Sequence, residues 1–152
     1  VQQRAAIVGA IRRHRPRTVV ALSGHARHPD HIALAALVRA AVKSAALHKQ
    51  PAPGDAPAID NVRLWFAEAE LPLAPTLLVP LTAADWERKM RAVGRYGSQL
   101  AGSSGPATSI SQPGFAGWIE ARGRAWGWQA GADYAEALVG PEAARVADLC
   151  QL

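Results

Sequence analysis

Three kinds of hydrophobic pattern divide the chain. In residues 4–13, Ala6, Ile7, Ala10 and Ile11 recur at helical spacing, which predicts a helix stopped by Pro16. Thr18-Val19-Val20-Ala21-Leu22 is then an almost wholly apolar run closed by Ser23-Gly24. Such a run suits a strand buried on both faces of a parallel sheet. Helical spacing returns over residues 31–47. Pro51, Pro53, Gly54 and Pro57 make the next stretch an irregular connection.

Two further strands are predicted over residues 63–68 and 76–81, the second flanked by Pro75 and carrying Pro80. Thr82 suits the N-cap of a helix over residues 83–100, with Asp85 three positions on as in a capping box. Gly102, Ser103, Ser104, Gly105, Pro106 and Pro113 mark residues 101–114 as a loop, of a length found in lids and in plain surface connections alike. A helix over residues 114–130 is expected in spite of Gly117, Gly123 and Gly127. Tyr134-Ala135-Glu136-Ala137-Leu138 reads as a last strand; its central Glu136 either lines a pocket or pairs with an arginine. The order of helix, buried strand, loop and helix is that of an α/β layer fold with a mostly parallel sheet. The 152 residues suit a single domain, 1–152.

Charge and composition narrow the function classes. The chain carries 17 Lys+Arg against 12 Asp+Glu, and Arg12, Arg13, Arg15 and Arg17 cluster around His14. Without interleaved aromatics or a known module, this cluster fits a helix C-terminus better than nucleic acid. The longest apolar stretch, residues 32–47, is broken by Arg39, Lys43 and Ser44, so no membrane span is expected. The one cysteine, Cys150, cannot form an internal disulfide, which suits a cytoplasmic protein.

The candidate chemistry lies after the first strand, in Ser23-Gly24-His25-Ala26-Arg27-His28-Pro29-Asp30-His31. In α/β sheets functional groups collect at the carboxyl ends of strands. Imidazole is a good zinc ligand, and two histidines three apart at a turn entering a helix can aim at one point. Pro29 stiffens that turn. Asp30 is placed either to cap the helix or to hold an imidazole. A plain turn is the other reading of the same residues. Ser98 lacks the G-x-S-x-G setting of a serine nucleophile. Trp118, Trp126 and Trp128 suit core or a subunit contact better than a sugar platform.

A helix, a buried strand and then His28-Pro29-Asp30-His31 opening a helix resembles the PIG-L/LmbE-like N-deacetylases, which include the N-acetylglucosaminyl-phosphatidylinositol, mycothiol and bacillithiol deacetylases. Lys89-Met90-Arg91-Ala92 through Tyr96-Gly97-Ser98-Gln99, and Tyr134 to Leu138, are similar to later family segments in the same order. The resemblance implies a Rossmann-like fold and zinc-dependent removal of an N-acetyl group from a small, amino-sugar-type substrate. It implies that His31 is a Zn2+ ligand. It gives His28 the part of stabilising the tetrahedral intermediate or protonating the leaving amine, and Asp30 that of orienting a histidine. The family's other two ligands and its base come from an earlier His-Pro-Asp-Asp segment, which these residues lack. Ala26-Arg27 also stands where many members carry an acidic residue close to the motif. The chain is therefore read as the C-terminal part of such a domain, its site completed by an upstream segment or another chain. The alternative is a degenerate half-domain that binds without hydrolysing. His25 is given no specific role.

Overall fold

The computed structural model describes residues 2–51, 53–96 and 111–142. The Ser98-Gln99 pair, most of the 101–114 loop and Cys150 lie outside them. The chain folds into two compact units, Val1–Leu77 with Leu138–Leu152, and Leu78–Ala137. Its elements are α1 (Gln2–His14), β1 (Thr18–Leu22), α2 (Pro29–Ala45), β2 (Arg63–Ala67), β3 (Leu77–Leu81), α3 (Ala83–Gly94), α4 (Phe115–Ala130) and β4 (Tyr134–Val139). Each lies close to its expected place. The third helix is the exception, ending at Gly94, where a residue without a side chain weakens the helix.

In the first unit β1 pairs in parallel with β2 from Thr18↔Arg63 to Leu22↔Ala67. The end of β4 runs antiparallel to β2, with Phe66 opposite Val139. The four-stranded sheet is thus mixed rather than mostly parallel. Hydrophobic patterning marks a strand and its burial but carries no sign of its direction, which the connections decide.

Helices α1 and α2 pack together, and α2 packs on β1 and β2. Val8, Ile11, Ala41, Ala45 and Ile59 form the buried cluster, with Val19 of β1 and Val62 against it. The other face of β1 departs from the expected double burial, for Val20 is 55% and Leu22 36% exposed. Successive strand residues point to opposite faces, and the described helices cover only the face of Val19 and Ala21.

Arg12, one of the clustered arginines, is buried. Its guanidinium donates to the carbonyls of Ser44, Ala45, Leu47, Gln50 and Ala56. The first two are the last residues of α2, whose orphan carbonyls need partners. Arg12, Arg13 and His14 thus lie in the last turn of α1, as the cluster suggests, while the Arg12 side chain turns to the end of α2.

In the second unit Trp86 of α3 stacks on Tyr134 of β4, centroids 4.1 Å apart and planes within 5°. Gly123 of α4 makes room for this pair: a Cβ there would lie 2.7 Å from the Trp86 ring. Gly127 is tighter still, since a Cβ would meet the Asp133 backbone at 2.6 Å. Glu136 pairs with Lys89 at 2.7 Å, a lysine rather than the expected arginine. Trp128 is 87% exposed, which removes it from the core.

Thr82 caps α3 as expected, accepting from the Asp85 backbone N–H at 3.2 Å. Its hydroxyl donates to the Asp85 carboxylate at 2.6 Å. That bond above all, with the Arg88 charge, holds the Asp85 carboxyl below its usual pKa. Thr82→Ala is expected to cost about 1 kcal/mol of stability in urea at neutral pH. A carboxyl with a depressed folded-state pKa stabilises above its unfolded value and loses that contribution as pH falls through the lowered one. The gap between the two proteins should therefore narrow in acid. A constant gap from neutral to acid pH would show that the carboxylate takes no part.

Candidate metal and catalytic site

Parallel pairing sets the carboxyl ends of β1 and β2 at one edge of the sheet. The loop leaving β1 is pinned there, as the Ser23 N–H donates to the Ala67 carbonyl at 2.8 Å. Ser23 is itself buried, and its Oγ accepts from the His25 N–H at 3.0 Å. The His25 side chain is exposed. Gly24 lies against α2, where a Cβ would come within 3.2 Å of Ala35.

Helix α2 opens at Pro29, two residues earlier than its apolar pattern suggests, and His28 is its N-cap. Proline suits this first helical position, where its missing N–H has no partner to lose. The His28 Nδ1 accepts from the Asp30 N–H at 3.2 Å. That bond needs a lone pair on Nδ1, so the neutral ring carries its proton on Nε2. His28 therefore offers an N–H donor on the side away from the helix. Its side chain is 55% exposed.

The Asp30 carboxylate is 88% exposed and 3.9 Å from the His28 Nδ1, beyond hydrogen-bond reach. It adds negative charge to the first turn of α2, which the helix dipole favours. Rings of His28 and His31 lie side by side, centroids 5.2 Å apart. The structure thus brings together the two histidines picked out in the sequence.

Glu70, three residues beyond the end of β2, is not singled out by the sequence and belongs to the same cluster. Its Oε2 accepts from the Arg27 N–H at 3.0 Å, and its Oε1 lies 3.1 Å from the His31 Nδ1. This second contact has ion-pair distance but lacks the angle of a hydrogen bond, so Nδ1 is a buried nitrogen without a hydrogen-bond partner. The signal for Glu70 is an acid just past a strand beside the one that carries the histidines. Only the pairing of β1 with β2 makes that signal readable.

Imidazole and carboxylate are the ligand and outer-sphere types that zinc takes in proteins. His31 is thus chemically suited to hold one, with its Nδ1 turned to a carboxylate and the rest of the ring partly exposed. Among the described residues, no group of three His, Cys, Asp or Glu side chains could hold a metal ion. None of the described helices is long and apolar enough to cross a membrane.

No protein-family model matches the chain. Among solved structures it is similar to a conserved protein of Thermus thermophilus, at 36% identity and a TM-score of 0.78, over 95% of this chain and 60% of that one. The 4-carboxy-2-hydroxymuconate hydratase GalB of Pseudomonas putida matches at 17% identity and 0.73, over 97% and 61%. The N,N'-diacetylchitobiose deacetylase of Pyrococcus horikoshii matches at 17% and 0.68, over 90% and 50%. The chain spans half to about three fifths of the length of these proteins. It has a mixed α/β fold shared with a hydratase and a deacetylase.

Proposed function

We propose that the chain is the C-terminal portion of a PIG-L/LmbE-like domain of Rossmann-like descent, a zinc-dependent hydrolase that removes an N-acetyl group from an amino-sugar-type small molecule. The observation that carries this reading is the paired His28 and His31 at the carboxyl edge of β1 and β2, with the His31 ring set against Glu70. The fold shared with a diacetylchitobiose deacetylase supports the reaction class. In this reading an upstream segment or a second chain supplies the remaining ligands and the base.

His31 would hold the metal through its partly exposed ring. Bound there, zinc would supply Lewis acidity and a water activated near neutral pH. The His28 Nε2–H is free to donate to an acetamide oxygen as charge builds on it, or to the leaving nitrogen. Once His28 carries two protons, its Nδ1–H gives up the Asp30 N–H, and the Asp30 carboxylate, 3.9 Å away, would have to swing in as acceptor. This is how Asp30 would orient the ring.

A second reading is a half-domain that binds without hydrolysis. The exposed Val20 and Leu22 favour it, because they offer an apolar strip to a partner. Acetate release from diacetylchitobiose separates the two. It is measured on this chain alone and on the chain supplied with a segment bearing His-Pro-Asp-Asp. Hydrolysis is expected only in the second sample, and its absence there over a range of N-acetylated sugars would leave the binding reading.

A further inference from the structure

We propose that Glu70 is the positioning residue of the metal site: its carboxylate accepts the Nδ1 proton of His31 and leaves the Nε2 lone pair to the metal. This rests on the reading of His31 as a ligand and adds a residue from the loop after a different strand.

Three observations meet at Glu70. Its Oε1 is 3.1 Å from the His31 Nδ1. That nitrogen is buried and has no hydrogen-bond partner as placed, although the His31 side chain as a whole is 31% exposed. The exposure therefore lies elsewhere on the side chain than Nδ1, and the proposal gives the other ring nitrogen, Nε2, to the metal. A small rotation of the ring or the carboxylate converts the 3.1 Å contact into a hydrogen bond. Left uncorrected, a buried ring nitrogen without a partner would be costly.

The other carboxylate oxygen takes the Arg27 N–H. Glu70 thus ties the loop after β1 to the loop after β2, on both sides of His28. A carboxylate behind a ligating histidine fixes its tautomer and its ring plane and raises its basicity. Arg27 and His31 meet this one side chain from opposite ends of the motif, so the loop cannot shift without disturbing the ligand.

The two histidines should consequently sit in opposite tautomers. His28 keeps its proton on Nε2 because Nδ1 accepts from Asp30. His31 keeps its proton on Nδ1 because Glu70 accepts it. Long-range 1H–15N NMR of the metal-free chain at neutral to mildly alkaline pH reads both, with His31→Gln and His28→Gln assigning the signals.

Glu70→Ala should move His31 toward the Nε2–H form and leave His28 unchanged. Glu70→Gln retains an oxygen acceptor and should keep the Nδ1–H form, which guards against loss of folding in the alanine variant. In the protein with its site completed, zinc affinity should fall about 10- to 100-fold for Glu70→Ala and less for Glu70→Gln. A Glu70-dependent tautomer in a protein that takes up no zinc would support the positioning and overturn the metal reading. A His31 tautomer indifferent to both substitutions would overturn the positioning, whatever the metal does.

Discussion

Arg12→Ala is expected to destabilise the first unit by about 3–4 kcal/mol, a large part of the roughly 5–15 kcal/mol that holds a typical domain folded. A guanidinium has five N–H donors in a rigid fork, and Arg12 spends all five on backbone carbonyls. The side chain is 4% exposed, so water cannot replace the bonds to Ser44 and Ala45 without opening the packing of α1 on α2. Stripping a partner from a buried polar group costs about 1–3 kcal/mol per group. The total stays below five such losses for two reasons. Ala45 and Ser44 keep the N–H groups of Ile59 and Leu47 as partners. Carbonyls of Gln50 and Ala56 lie nearer to water.

Arg12→Lys keeps a charge but only three donors without the fork, and should recover less than half of the loss. Arg13→Ala, at an exposed position one residue on, should stay within about 0.5 kcal/mol of the parent. Urea denaturation followed by circular dichroism reads all three. Equal midpoints for Arg12→Ala and Arg13→Ala would show that the cap contributes nothing.

Arg12 also shows where sequence reasoning stops. The cluster at Arg12 to Arg17 points to a helix C-terminus, yet nothing local tells that one arginine turns inward to end a helix whose last residue, Ala45, is 33 positions away. The elements themselves are legible because their signals are local: apolar spacing for α1, the apolar run of β1, the Thr82 cap of α3. The exposed face of β1 and the direction of β4 are not, since both depend on which segments become neighbours. Glycines give a misleading signal for the same reason. Gly123 and Gly127 weaken a helix taken alone, but they are what allows Trp86 and the Asp133 backbone to approach α4. At the candidate site the histidines can be read from spacing, because they sit within one turn. Glu70 is far from His31 in the chain, and only the parallel register of β1 and β2 brings it to the same edge.

His31→Ala and His28→Ala should separate binding from turnover, and by large factors. His31 is the ligand in the proposed site, and its Nδ1 faces the Glu70 carboxylate at 3.1 Å. Loss of an outer-sphere partner alone lowers metal affinity about 10- to 100-fold. Loss of the ligand itself should exceed this, and competition against a chromophoric chelator should show zinc affinity down by more than about 100-fold. His28 faces the same space but holds its Nδ1 to the Asp30 N–H. Removing it costs α2 its N-cap and the site a proton donor, but leaves the ligand in place. Zinc affinity should therefore change by less than about threefold, whereas turnover should fall about 10²- to 10⁴-fold, as for other general acid–base groups. The stability cost of the lost cap, about 1 kcal/mol, is too small to mimic that fall. Both measurements belong on the protein with its site completed, where metal binding and hydrolysis can be followed in one sample. Unchanged zinc content in His31→Ala would remove His31 from the metal. Equal losses of zinc in the two variants would mean that the histidines act as one structural unit, with no division between ligand and donor.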